Sequence, residues 1–392
     1  MNLINCHKMK FLRLAFYVLI AQLVLSGCAG EGVEETSSSS ASEINFDAYV
    51  GRNASTRAGV NDIKFLQSGA WNAGFGVFAR YKHTDGKTIT SLMDDEHVYW
   101  KDGHWGYDHI RFWPSAGTVD FYAFAPCVPG IVLENKPGSN EANPTYIKFT
   151  SNMSPIDLLW DNQTGQKAPT SPGSKVKFRF KHATARFGFD ITAPELLKNG
   201  ADITVDKVQL YCESNGVHIG VFDMVGYLNL DDTGDWHVVN DEKTRWYYSW
   251  TPHGRDGEDP NGYKEGEGPE LKITGEKLDK TNDKITNSPN SFIFIIPQEI
   301  PHPDKNDPYK KAKEDFYLEI TYTVKQGDFA EEVTVRKNLL DVLRPGVSNP
   351  SFKFEEGKAY LFHLILSLDP INFSITKDVV DWNEVKDETM PL

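Results

Sequence analysis

Past residue 43 the chain alternates. Ile44, Phe46, Ala48 and Val50 are apolar at every second position, with Asn45, Asp47 and Tyr49 between them, the period of a strand buried on one face. The same period predicts strands over 75–81, 97–100 and 104–107, the last two joined through Lys101-Asp102-Gly103 as a hairpin. An aromatic strand over 119–125 stops at Pro126, and a long strand or pair over 176–191 carries Gly188 as a candidate bulge. Residues 193–197, ended by Asn199-Gly200, predict one helical turn and mark a boundary. A second series follows at 203–212, 216–223, 246–250, 291–296, 316–324, 331–336, 360–368 and 371–380, and residues 251–270 read as a surface loop. Convincing helical periods are scarce. Two runs of short strands separated by Gly, Pro, Asn and Asp predict an all-β chain of two tandem antiparallel β-sandwich domains, over 44–195 and 196–392.

The first 27 residues differ from everything after them. Lys8, Lys10 and Arg13 stand without an acid before an apolar stretch, Leu14 to Leu25, broken only by Gln22. That is the layout of a signal peptide, and the apolar part is short for a membrane span. Met9-Lys10-Phe11 opens a more usual leader than Met1 does. Leu25-Ser26-Gly27-Cys28 resembles the lipobox of bacterial lipoproteins. The resemblance implies that Cys28 becomes the lipidated first residue of the mature chain. Ala29 favours the outer membrane, where the acyl chains would hold the protein firmly. Residues 28–43, polar, Ser-rich and acidic, read as a flexible tether.

Composition narrows the function classes. Forty-one Lys and Arg against 55 Asp and Glu give a formal charge of -14. No basic footprint for phosphates is present, so nucleic acid is not an expected partner. Beyond the leader and Cys28 only Cys127 and Cys212 remain, which excludes a disulfide framework and leaves one pair that could bridge. No nucleophile elbow, phosphate loop, zinc helix or Cys-x-x-Cys occurs, so neither an enzyme nor a cofactor is expected. His97, His104 and His109 lie among Asp94, Asp95, Glu96, Asp102 and Asp108, but their spacing fits no ligand motif and no metal is expected there. Trp100, Trp105, Tyr107 and Trp113 permit two readings, a sugar-stacking platform or aromatic cross-strand pairs.

Several segments, taken in order, resemble the fimbrillin family, the type V pilus subunits of Bacteroidetes. Trp100-Lys101-Asp102-Gly103-His104-Trp105, Phe112-Trp113-Pro114 and the strand Val119 to Pro126 match its Trp-bearing turn, its WP pair and its aromatic strand ending in Pro. Phe178 to Phe187 resembles its F-x-H-x-x-A strand, Phe294 to Gln298 its I-P-Q strand, Phe354 to Tyr360 its G-K-x-Y strand and Val380-Asp381-Trp382 its terminal pattern. The resemblance implies transthyretin-like sandwiches and a lipoprotein precursor carried to the outer membrane. It further implies an arginine-specific protease that removes the first strand, and other fimbrial subunits as partners that insert a C-terminal strand in its place.

Residue by residue, Arg57 and Ala58 flank the expected cut, and Ile44, Phe46, Ala48 and Val50 form the removable strand 44–50. Ile371, Phe373, Ile375 and Val379 nearly repeat that spacing and form the candidate donor strand 371–380, although Lys377 falls on their apolar face. Such a strand would bind by β-strand addition. The expected role is a structural fimbrial subunit serving adhesion to an unidentified target. The alternative is a monomeric surface lipoprotein that binds glycan or host protein through its aromatic sheet.

Overall fold

A computed structural model of the chain describes residues 42–50, 63–128, 130–151, 156–171, 173–231, 233–253, 267–287, 292–304, 306–348, 351–367 and 374–381. The fold is all-β, as the alternation predicts, with three short α-helices and one 3-10 turn among the described residues. Strands β1 (Phe46–Val50), β2 (Phe75–Lys82), β3 (Ile89–Lys101), β4 (His104–Gly106), β5 (Thr118–Ala125), β6 (Leu159–Gln166) and β7 (Val176–His182) make a seven-stranded sheet in the order β1-β7-β6-β5-β2-β3-β4. Its neighbours are antiparallel except at one edge, where β1 runs parallel to β7. The β3–β4 hairpin turns through Asp102 at φ 51° and Gly103 at φ 82°, the left-handed pair that a tight hairpin needs.

Strands β2 and β5 are apolar on both faces because both faces are covered. Phe75, Val77, Phe121 and Ala123 point into a first core that also takes Leu66 of helix α1 (Ile63–Leu66). Phe78, Tyr122 and Phe124 point the other way, into a second cluster with Ile147, Phe149 and Leu228. That second cover is a four-stranded sheet in which Tyr146–Thr150 pairs antiparallel with Val225–Asn229, one strand from each half of the chain.

The rest of the chain builds a sandwich. One sheet has the order β11-β8-β15-β16, from β8 (Ala185–Thr192), β11 (Lys284–Thr286), β15 (Lys358–Ile365) and β16 (Ser374–Asp381), with β12 (Ile293–Ile295) also paired to β8. The facing sheet contains, in order, β10 (Tyr247–Thr251), β9 (Asp202–Ser214), β13 (Asp315–Gln326) and β14 (Phe329–Asn338). Phe187 stacks on Trp250 of the facing sheet at 5.9 Å and on Phe362 beside it at 4.9 Å, so aromatic faces from both sheets meet in one core. Helix α2 (Pro194–Lys198) starts with a proline at its first turn, and α3 (Leu339–Leu343) is capped by the Asn338 side chain accepting from the Leu340 N–H.

Strand β7 belongs to the first sheet and β8 to the sandwich, so the chain changes sheets at Ala183-Thr184. One detail departs from the sequence reading: Gly188 is not a bulge. Its register with β15 runs unbroken, and a Cβ there would meet the Phe292 ring at 2.4 Å, so glycine serves a close approach.

Candidate functional site

The first strand is seated on two sides. On one side β1 pairs in parallel with β7, Phe46 opposite Val176 and Val50 opposite Phe180, and Val176 N–H donates to Asn45 O at 2.8 Å. On the other side, Ile44 N–H donates to Arg111 O and Trp113 N–H donates to Ser42 O, both at 2.9 Å. The Tyr107 hydroxyl also donates to Ile44 O at 2.7 Å. Residues 42–50 therefore bridge β7 and the segment after β4, closing an edge that would otherwise leave backbone groups unpaired.

The side chains follow the period-two reading. Ile44, Phe46 and Val50 are buried in the first core, Ala48 is half-buried against it, and Tyr49 on the opposite face is half exposed. Phe46 is the centre of the seat, with ring centroids 5.8 Å from Phe178, 5.8 Å from Phe121 and 5.5 Å from Tyr107. Strand β7 presents Val176, Phe178 and Phe180 inward and Lys177, Arg179 and Lys181 outward. Asp47, Ala48, Tyr49, Lys177, Phe178 and Arg179 line a cleft of about 480 Å³ along this edge. Tyr107, Arg111 and Trp113 were not legible as parts of the seat, because residues 107–113 have no alternation to mark them.

The terminal strand β16 lies at the edge of the sandwich, antiparallel to β15, with Ile375 opposite Leu364 and Val379 opposite Tyr360. Ile375 packs half-buried against the sandwich core, whereas Val379 is 47% exposed. Lys377, the misfit of the apolar pattern, has a specific place. Its Nζ donates to Val342 O at 3.3 Å and Leu343 O at 3.0 Å, the free carbonyls at the end of α3, where a cation is favoured. Cys28, Arg57, Ala58, Ile371 and Phe373 lie outside the described residues.

The other candidates resolve differently. Trp105, Tyr107 and Trp113 are buried and Trp100 packs against the same core, so these rings form no exposed platform for sugars. His97 Nε2 lies 2.8 Å from Ala73 O, and His109 Nδ1 lies 3.1 Å from a Glu96 oxygen. No group of three or more His, Cys, Asp or Glu suited to a metal occurs among the described residues. His182 is buried with Nδ1 2.9 Å from an Asp157 carboxylate oxygen. Cys127 and Cys212 are free, buried thiols, and burial pushes Cys127 up to about 12 and Cys212 higher.

One polar cluster was invisible in the sequence. Arg245, buried just before β10, donates from Nε to Asp223 and from Nη1 to Glu314, each at 2.8 Å. His302 adds Nδ1 at 2.8 Å from the other Glu314 oxygen. These groups come from four separated stretches of chain, and their mutual satisfaction marks the cluster as structural.

The geometry and the order of segments agree with known proteins. A model of the fimbrillin-like family matches residues 56–382. The chain is 24% identical over 395 residues to a fimbrium subunit, Fim1C, of Phocaeicola vulgatus, covering 94% of this chain and 96% of that protein. A crystal structure of a fimbrial protein from Bacteroides vulgatus aligns with a TM-score of 0.56 at 20% identity, over 87% of this chain and 99% of the other, a likeness of fold. Because the family's pattern spans the chain from the segment after β1 to the end of β16, this protein belongs to the fimbrillin-like family, a family of fimbrial structural subunits and not of enzymes.

Proposed function

We propose that this chain is a fimbrial subunit delivered to the outer membrane by lipidation at Cys28, cut after Arg57 by an arginine-specific protease, and joined to its neighbours by exchange of β1 for a C-terminal strand, the fibre serving adhesion. The supporting observation is the seat of β1. It is the one parallel strand of its sheet, it is hydrogen-bonded on both sides, and it fills the first core with Ile44, Phe46 and Val50. A cut after Arg57 separates this strand from the body of the chain, which otherwise begins at α1.

Leaving the seat empty is costly. Each buried side chain contributes about 1.5–3 kcal/mol, and each ladder hydrogen bond about 0.5–1.5 kcal/mol. A replacement strand recovers these terms, and its surplus over association entropy makes a durable joint. The C-terminal segment has suitable chemistry: Ile371-Asn372-Phe373 repeats the tripeptide Ile44-Asn45-Phe46. Aligned so, Phe373 takes the place of Phe46, Ile375 that of Ala48, and Lys377 falls at Val50, the last position of the strand.

The test is proteolysis of purified, lipid-free protein with an arginine-specific protease. The proposal expects a new N-terminus at Ala58 followed by ladders on a denaturing gel run without boiling. A protein cut at Arg57 that stays monomeric at high concentration contradicts it.

A further inference from the structure

His363 on β15 has a carboxylate at each ring nitrogen. Nδ1 lies 2.9 Å from Asp190 Oδ1 on β8, and Nε2 lies 3.1 Å from Asp378 Oδ2 on β16. An ionised carboxylate only accepts, and a neutral imidazole carries a single N–H. Both contacts are hydrogen bonds only when the ring is an imidazolium. The second Asp190 oxygen is 2.7 Å from Lys284 Nζ on β11. Lys284, Asp190, His363 and Asp378 thus form a row of alternating charge across all four strands of this sheet order. They are the charged groups that face the ring from the neighbouring strands, and its ladder partner on β16 is the uncharged Thr376.

We propose that His363 is a pH-operated latch on the terminal strand: the charged ring ties β16 to the sheet, and the neutral ring releases it. The two carboxylates are unequal. The Asp190 side chain is buried, while that of Asp378 is 68% exposed. A buried acceptor left without a donor costs more than an exposed one, so a neutral ring keeps its N–H on Asp190. Its Nε2 lone pair then faces the Asp378 carboxylate, and attraction becomes repulsion within the ladder of β16.

Partial burial works to lower the pKa of His363, but the hydrogen bonds to Asp190 and Asp378 outweigh it and raise the value above that of a free imidazole. A raised value means that the tie is complete below the ordinary imidazole range and is lost as pH rises through the folded-state value. The remaining holds on β16 are the backbone ladder and Ile375 against the core, which do not titrate, and Lys377 on the α3 carbonyls, whose pKa burial lowers. The latch concerns the strand in its own sheet, so it stands or falls separately from exchange. Where exchange occurs, the latch makes the strand easier to release toward alkaline pH.

Hydrogen exchange of the full chain, followed by mass spectrometry from pH 5.5 to 8.5 and corrected for intrinsic rates, tests this. In the wild type, opening of residues 374–381 relative to β13 should rise about two- to fivefold across that range, the scale of a partly exposed ion pair. His363→Gln and Asp378→Asn should each remove the rise, and the second change is at an exposed position that leaves the core intact. Opening of the wild-type strand that does not change with pH, or a rise that persists in Asp378→Asn, would overturn the latch.

Discussion

Phe46 of β1 stacks on Phe178 of β7 with ring centroids 5.8 Å apart and planes 22° from parallel. Phe178 is fully buried, and Phe46 is one of the side chains that cover it. Replacing Phe46 by Ala should therefore cost about 3–5 kcal/mol, the range for a buried phenylalanine. Tyr49, three residues on and half exposed, should cost within about 0.5 kcal/mol on the same change. Urea midpoints of the two variants check the contrast, and equal midpoints would mean that β1 is not held by its inner face.

Asp95 gives a pH dependence. It sits in β3 at φ 49°, with Oδ2 accepting from Gly130 N–H at 3.0 Å and Oδ1 buried without a partner among the described residues. Burial pushes its carboxyl up to about 6, against the opposing hydrogen bond from Gly130. A raised acid is stabilising where it is protonated, so its contribution is present below the ordinary value of 3.8 and lost as pH rises through about 6. Asp95→Asn tolerates the left-handed backbone and keeps an acceptor for Gly130. It should lose less thermal stability than the wild type between pH 4 and 7, read as melting temperature.

The Arg245 cluster predicts the opposite sign. Burial works to raise the Glu314 carboxyl, yet hydrogen bonds and charge from His302, with the charge of Arg245, hold it down to about 2. A depressed acid stabilises above its ordinary value of 4.5, and that support is lost as pH falls toward 2. Arg245→Met leaves Asp223 and Glu314 buried without their cation, and removal of one partner of such a group costs about 3–5 kcal/mol. Denaturation at pH 7 should show this loss, and a midpoint unchanged from wild type would contradict the structural reading.

Cys127 and Cys212 should behave as inert thiols. Both are buried, and burial raises both pKa values. Thiolate is the reactive form, so labelling by an aromatic disulfide reagent should be slow in the native protein and should follow unfolding. Rapid native labelling of either residue would place it nearer the surface than the structure does.

Much of the first strand was legible because its signal is local. Ile44, Phe46 and Val50 alternate with polar positions, and burial of one face is all that the pattern requires. The Asp102-Gly103 turn was legible for the same reason, since its left-handed pair is written in adjacent residues. The partners of β1 were not. Parallel pairing with β7, more than a hundred residues away, leaves no mark on either strand, and the segment from Tyr107 to Trp113 holds β1 through backbone groups that any sequence carries. The antiparallel pairing of Tyr146–Thr150 with Val225–Asn229 was missed for a related reason: a long-range pair is specified by shape complementarity, not by period. Lys377 looked like an error in an apolar face until the end of α3 supplied its acceptors, and no local pattern names a helix terminus in another part of the chain.

Assembly by exchange turns on which chain supplies the strand beside β7. A cryo-electron microscopy map of fibres grown from the cleaved protein answers this directly. The predicted result is density for residues 371–381 of a neighbouring subunit lying parallel to β7, with a phenylalanine ring where Phe46 stood on Phe178. Fibres in which β1 still occupies that place, with each β16 paired to its own β15 and neighbours meeting only through side chains, would contradict it.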